Sequence, residues 1–202
     1  MIIGLTGKFA AGKGTVAETL MARGFAYHSL SDVIRDELKR RGVAESREHL
    51  TEVGNELRRN EGPAALARRI VAMLTAPGAG ADHIVDSIRN PAEVDALRAA
   101  PGFILLGVDA DQAVRFARLV ARARQGDPTT FEQFAALEER ETHSTDPTTQ
   151  QLHATWALAD EVLANDGSRE SLAESVAQLL LRRGWSRDEF AREEREALAR
   201  DE

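Results

Sequence analysis

Short apolar runs alternate along this chain with longer segments whose apolar residues recur at helical spacing. Met1 to Thr6 predicts a strand, and Val16 to Arg23 a helix stopped at Gly24. Phe25 to Leu30 predicts a second strand. Ser31 then caps a helix over Asp32–Arg41 that Gly42 ends. Helical patterns follow from Ser46 to Asn60 and from Pro63 onward, the latter with Leu66, Ile70, Val71 and Leu74 on one face, until Pro77-Gly78-Ala79-Gly80 breaks the chain. His83–Asp86 predicts a strand and Pro91–Ala100 a helix. Phe103–Val108 is continuously apolar, as a strand buried on both faces is, and a helix over Asp111–Arg124 follows it. Asp127-Pro128 and Asp146-Pro147 bracket a polar, partly helical segment. Glu161–Asn165 predicts the last strand, and Ser168 caps a helix that ends near Arg183-Gly184. Trp185–Glu202 predicts a charged helical tail with few apolar residues, and no internal repeat is visible.

This alternation predicts a three-layer α/β/α domain with a central parallel sheet of about five strands and right-handed crossovers. Ligands of such sheets bind beyond the carboxyl ends of the strands. Those ends carry Lys13 and Thr15, then Asp32 and Arg35, then Asp86 and Arg89, then Arg115, Arg118, Arg122 and Arg124. Recurrent arginine at the mouth of the sheet points to a phosphate-bearing ligand.

The first strand exit is the most specific feature. Gly7-Lys8-Phe9-Ala10-Ala11-Gly12-Lys13-Gly14-Thr15 is G-x-x-x-x-G-K in a strand–loop–helix setting, the arrangement of a P-loop. Gly7 and Gly12 let the backbone curl so that amides of Lys8, Ala10, Ala11 and their neighbours form an anion nest. The helix N-terminus adds partial positive charge, and Lys13 reaches the outer phosphates of ATP as a mobile cation.

Composition narrows the remaining chemistry. The 202 residues contain 43% hydrophobic and 5% aromatic positions, so the core rests on aliphatic side chains. With no cysteine, disulfides, thiol catalysis and Cys-ligated zinc are excluded. The five histidines lack metal-site spacing. A net charge of −7 argues against a nucleic-acid surface. No apolar run reaches the ~18 residues of a membrane span, so a cytoplasmic protein, monomer or homodimer, is expected. Small-molecule nucleotides as its partners are what the P-loop implies, not the composition.

With Gly14 directly after Lys13, the loop resembles that of adenylate kinases and related nucleoside-monophosphate kinases. Ser29-Leu30-Ser31-Asp32-Val33-Ile34-Arg35 is similar to the segment after their second strand. Asp86-Ser87-Ile88-Arg89 with Glu93 resembles the end of their third strand, and Arg118 with Arg122 matches their pair of lid-hinge arginines. The chain also looks like small adenylate-kinase-related or dephospho-CoA-kinase-like P-loop kinases through residues 86–91, 126–131 and 165–167. The likeness covers residues 1 to about 182. It implies a kinase domain over 1–183, with an acceptor-binding helical region at about 31–76 and a lid at about 124–150, before the tail at 184–202.

The resemblance further implies ATP and Mg²⁺ as cofactors. Asp32, Arg35, Arg89 and Glu93 would bind the acceptor, Arg89 as a bidentate clamp and Glu93 as a reader of a base amino group. Asp86 and Thr15 would organise Mg²⁺, Asp86 through water. Lys13, Arg89, Arg118 and Arg122 would stabilise charge during transfer, with one of the last two stacked on adenine. A nucleoside or deoxynucleoside monophosphate is the expected acceptor and dephospho-CoA the alternative. A nucleotide-binding switch without turnover is the reading from another class. The lid lacks the cysteines of zinc-bearing lids, and the Asp32–Arg89 region lacks the Gly and Pro of the adenylate-kinase signature.

Overall fold

The computed structural model describes residues 1–78, 80, 82–123, 127–142 and 146–185, without the side chains of 140–142, and the statements below concern these residues. Five strands form one parallel sheet: β1 (Ile2–Thr6), β2 (Ala26–Ser29), β3 (His83–Asp86), β4 (Phe103–Asp109) and β5 (Glu161–Ala164), in the order β2-β3-β1-β4-β5. β1 is buried at all five positions and sits at the centre. Its alternate side chains feed two cores: Ile2 packs with Leu30, Leu66, Val94 and Leu97 on one face, Ile3 and Leu5 with Val16, Leu20, Val176 and Leu179 on the other. The sheet therefore has helices on both faces, as the alternation of elements predicts.

The helices are α1 (Lys13–Met21), α2 (Leu30–Arg41), α3 (Arg47–Glu61), α4 (Ala65–Leu74), α5 (Pro91–Arg98), α6 (Gln112–Arg122), α7 (Phe131–Thr142), α8 (Leu152–Trp156) and α9 (Arg169–Arg182). Several caps fall where the sequence sets them. Ser46 Oγ accepts the His49 amide, Ser168 Oγ accepts the Ser171 amide, and Gly42 closes α2 in the left-handed region. One cap differs. Ser29, not Ser31, caps α2: its extended backbone aims Oγ at the Ser31 amide at 3.2 Å, so the helix starts directly at the strand exit.

The polar segment after α6 is helical over α7, yet it is anchored by apolar contacts. Phe134 is fully buried, with its ring 5.7 Å from that of Phe116 and 6.4 Å from those of Phe9 and Phe131. The short α8 is an element the sequence pattern does not reveal. Arg124 and Gly126, and the tail from 186 onward, lie outside the described residues.

β1 lies between β3 and β4; the crossover out of β1 runs to β2 on one side and that out of β4 runs to β5 on the other, so adjacent strands diverge here. The crevice at the carboxyl end of β1 is the switch point where such sheets bind ligands.

Candidate functional site

That crevice holds the P-loop. Gly7 has φ 142° and Gly12 has φ 101°, conformations open to glycine. A Cβ on Gly7 would overlap the Val108 carbonyl, and one on Gly12 the amide nitrogen of Asn165, so both glycines also permit close packing. Ala10 takes φ 60°, a left-handed turn at a residue with a side chain. The loop opens into α1, whose N-terminus has no side-chain cap, leaving first-turn amides for an anion. Lys13 arches back over the loop, donating to the Gly7 carbonyl at 2.6 Å and the Lys8 carbonyl at 2.9 Å. Ala10, Ala11, Gly12, Lys13, Gly14 and Thr15 line one wall of a cavity of about 930 Å³. Lys8 contributes its carbonyl to Lys13, whereas its side chain lines a separate hollow with Asp109, Asp111 and Glu138.

Asp86 lines the same cavity from the exit of β3. One carboxylate oxygen accepts the Ser87 amide at 2.6 Å and the other the Tyr27 hydroxyl at 3.0 Å. Burial and the adjacent Asp86 charge push the Tyr27 phenol up to about 12, which keeps it a neutral donor to that carboxylate. Ser87 adopts φ 66°, and its hydroxyl meets that of Ser29 at 3.2 Å. No group of three or more His, Asp or Glu side chains among the described residues could cage a metal. A site of Thr15 and Asp86 fits Mg²⁺ carried in with phosphate, which keeps waters and takes one or two protein ligands.

A second cavity, of about 740 Å³, lies beside the first. Leu30, Ile34, Leu50 and Leu66 supply apolar wall, while Arg47, Arg58, Arg89 and Arg122 supply cations. Phe9, Ser87, Arg89 and Arg122 line both cavities and form the junction between them. Arg89 is oriented there by Gln150 Oε1, at 2.8 Å from its guanidinium. Arg122 is held by Asp127, with Nε to Oδ2 at 2.9 Å, and lies over the Phe9 ring.

The other sequence candidates are located as follows. Asp32 and Arg35 pair with each other at 2.7 Å on the exposed face of α2, Arg35 also meets Glu45 at 3.0 Å, and neither lines the second cavity. Glu93 is fully buried, and its carboxylate is occupied by the chain's own donors. Oε1 accepts Arg58 Nη2 at 2.8 Å and Nε at 3.0 Å; Oε2 accepts the amides of Arg89 and Asn90, completing a capping box for α5. With both oxygens committed inside the protein, Glu93 orients the Arg89 backbone and is not on the wall as a base reader. Arg118 lines the first cavity, donating to the Gly167 carbonyl at 3.3 Å.

Arg115, on the same helix as Arg118 and Arg122, turns inward instead. It is fully buried, pairs with Glu138 of α7, and donates to the Phe9 carbonyl at 3.3 Å. It thus ties α7 to the P-loop.

Sequence reading passed over Arg47, Arg58, Gln150 and Asn165. Arg58 and Glu93 lie 35 residues apart, Arg89 and Gln150 61, and Asn165 and Ala11 154. Only the 165–167 segment carries a signal in the chain itself, through its Asn-Asp-Gly pattern.

Comparison with known proteins agrees with the geometry. The family described as "AAA domain" matches residues 3–143, more than half of the chain. UPF0200 protein TK1334 of Thermococcus kodakarensis is 32% identical over 184 residues, covering 89% of this chain and 96% of that protein. A UPF0200/UPF0201 protein of Archaeoglobus fulgidus is also 32% identical, over 187 residues; the match covers 90% of this chain but 55% of that longer relative. Among solved structures, shikimate kinase from Aquifex aeolicus superposes with TM-score 0.50 at 12% identity, covering 89% of this chain and 96% of that one. TT1252 from Thermus thermophilus gives TM-score 0.51 at 22% identity, covering 90% and 97%. At these identities the likeness is one of fold alone.

Proposed function

We propose that this chain, which belongs to the AAA domain family and to the UPF0200 proteins, is an ATP-dependent phosphotransferase acting on a small phosphate-bearing acceptor. A nucleoside or deoxynucleoside monophosphate is the acceptor of choice. One observation carries the reading: two cavities, one walled by the P-loop and one by apolar and arginine side chains, meet at Phe9, Ser87, Arg89 and Arg122. A nucleotide switch needs the first cavity alone. A second cationic cavity opening onto the first suits a second anion held for in-line attack.

In this mechanism an acceptor oxygen attacks the γ-phosphorus. The bond from that phosphorus to the β–γ bridging oxygen breaks, and ADP leaves with the electron pair. Transfer of this kind needs positioning and charge stabilisation more than covalent chemistry. The P-loop amides and Lys13 hold the triphosphate, and Arg89 and Arg122 face the junction, where equatorial oxygens gain charge. Mg²⁺, when bound with ATP, would neutralise phosphate charge, with Thr15 and Asp86 as its protein partners, Asp86 through water. Tyr27 and the Ser87 amide hold the Asp86 carboxylate in place, each donating to one of its oxygens. Arg35 and Asp32, paired with each other on the exposed face of α2, do not line the second cavity and are left out of the seated-acceptor set.

ADP release coupled to a spectroscopic readout tests this across common NMPs, dNMPs and dephospho-CoA. Acceptor-dependent release with one class identifies it. ATP hydrolysis that ignores every acceptor, or no turnover despite ATP binding, would favour the switch.

A further inference from the structure

Asn165, just beyond β5, is 6% exposed and has both ends of its side-chain amide engaged. Its Nδ2 donates to the Ala11 carbonyl at 2.8 Å, inside the P-loop. Its Oδ1 lies 3.5 Å from Arg118 Nη2, at the outer edge of hydrogen-bond reach. Its own backbone amide is pinned to the Asp109 carbonyl at 2.7 Å, so the side chain springs from a fixed point of the sheet. The left-handed turn at Gly12 wraps this amide so closely that a Cβ there would overlap Nδ2. In a trans peptide the C=O and the next N–H point opposite ways, so holding the Ala11 carbonyl turns the Gly12 amide away from Asn165. At the other end Arg118 Nη1 is buried and has no hydrogen-bond partner among the described residues, although the side chain lines the nucleotide cavity. A buried guanidinium donor without a partner is costly and marks a group that a ligand completes.

We infer that Asn165 is a positioning residue joining the two ends of the nucleotide site. Through Nδ2 it sets the P-loop peptide that faces the phosphates; through Oδ1 it steadies Arg118, whose remaining donor meets the nucleoside side of a bound nucleoside triphosphate. This rests on the nucleotide-binding reading above and adds to it a coupling between phosphate nest and nucleoside end.

Isothermal titration with two probes separates the two ends: Mg–tripolyphosphate reads the P-loop alone, and Mg–ATP reads both. Asn165→Asp keeps an oxygen for Arg118 but puts a second acceptor against the Ala11 carbonyl. It should weaken both probes by the same factor, about tenfold for one lost hydrogen bond at a buried site. Asn165→Ala removes both contacts and should weaken Mg–ATP several-fold more than Mg–tripolyphosphate. Adding Arg118→Ala to Asn165→Ala should then cost little further ATP affinity, because the two act as a unit. Equal losses on both probes in Asn165→Ala, additive losses with Arg118→Ala, or unchanged binding in Asn165→Asp would overturn the coupling. Wild-type protein that binds neither probe would instead overturn the nucleotide reading itself. Melting curves of the unliganded variants show whether any loss reflects unfolding, and the ratio between probes is insensitive to a uniform loss of folded protein.

Discussion

The guanidinium of Arg122 lies 4.5 Å from the centre of the Phe9 ring, so the P-loop carries its own aromatic platform for a cation of α6. Arg47 of α3 approaches the same ring at 4.7 Å. Two helices, α3 and α6, thus lean on one side chain of the phosphate loop. A cation over an aromatic face is worth about 0.5–2 kcal/mol, depending on desolvation. Phe9→Leu keeps the bulk and removes the π-face. It should lower kcat about three- to thirtyfold with KM for ATP within about twofold, and Phe9→Tyr should restore most of the loss. Steady-state kinetics decide this, and a leucine variant with wild-type kcat would remove the stack from catalysis.

Lys13 donates to two loop carbonyls, those of Gly7 and Lys8, 2.6 and 2.9 Å away. Lys13→Ala should leave the melting temperature nearly unchanged, since no core contact is lost. Transfer should fall by about 10²–10³ or more, the scale for loss of one transition-state cation or donor. A variant that melts early, or that turns over normally, would contradict this assignment.

Arg58 and Glu93 form an ion pair with side chains 4% and 0% exposed. Removing one member leaves the other buried without its partner, at a cost of about 3–5 kcal/mol. Arg58→Leu and Glu93→Gln should therefore each lower unfolding free energy on that scale, with an unchanged denaturant slope. Glu93→Gln should in addition disturb Arg89, whose amide the carboxylate accepts at 2.9 Å. Urea titrations showing less than about 1 kcal/mol for both would mean the pair is not as isolated from solvent as described.

What could be read from the chain and what could not divide along the range of the contacts. The P-loop is local: Gly7, Gly12 and Lys13 act through a turn and a helix end whose chemistry is written in nine consecutive residues. Ser46, Ser168 and Gly42 are caps, equally local. Ser29 displaced Ser31 as cap because β2 runs straight into α2, and nothing short of the strand register specifies that junction. The resemblance makes Glu93 a base reader; its capping box with Asn90 is a local contact, but its partner Arg58 sits on α3, beyond the reach of local pattern. Arg115, Arg118 and Arg122 look alike at helical spacing. Their neighbours separate them: Glu138 draws the first into the core, Gly167 holds the second, and Phe9 with Asp127 holds the third. Burial of Phe134 likewise makes a composition-defined polar segment a docked helix.

Ser87 occupies the left-handed region at φ 66° between the two cavities. A side chain there costs about 1 kcal/mol relative to glycine, offset in part by the hydroxyl contact with Ser29. Comparing Ser87→Gly with Ser87→Ala isolates the backbone, because both lose the hydroxyl. The glycine variant should be the more stable of the two by about 1 kcal/mol in thermal or chemical unfolding. Alanine equal to or better than glycine would show that the turn relaxes without cost.

His28 and His83 meet across β2 and β3, with Nε2 and Nδ1 3.2 Å apart. Burial and the neighbouring His83 hold the His28 imidazole below its ordinary value of 6.5, with Asp32 opposing them weakly. The unfolded chain therefore takes up this proton more readily than the folded one. The stability linked to His28 is complete above pH ~6.5 and is lost as pH falls below that value. The melting temperature should decline between pH 7 and pH 5, and His28→Gln, which does not titrate, should flatten that decline while costing little at pH 8. A decline of the same steepness in the glutamine variant would assign the acid sensitivity to other groups.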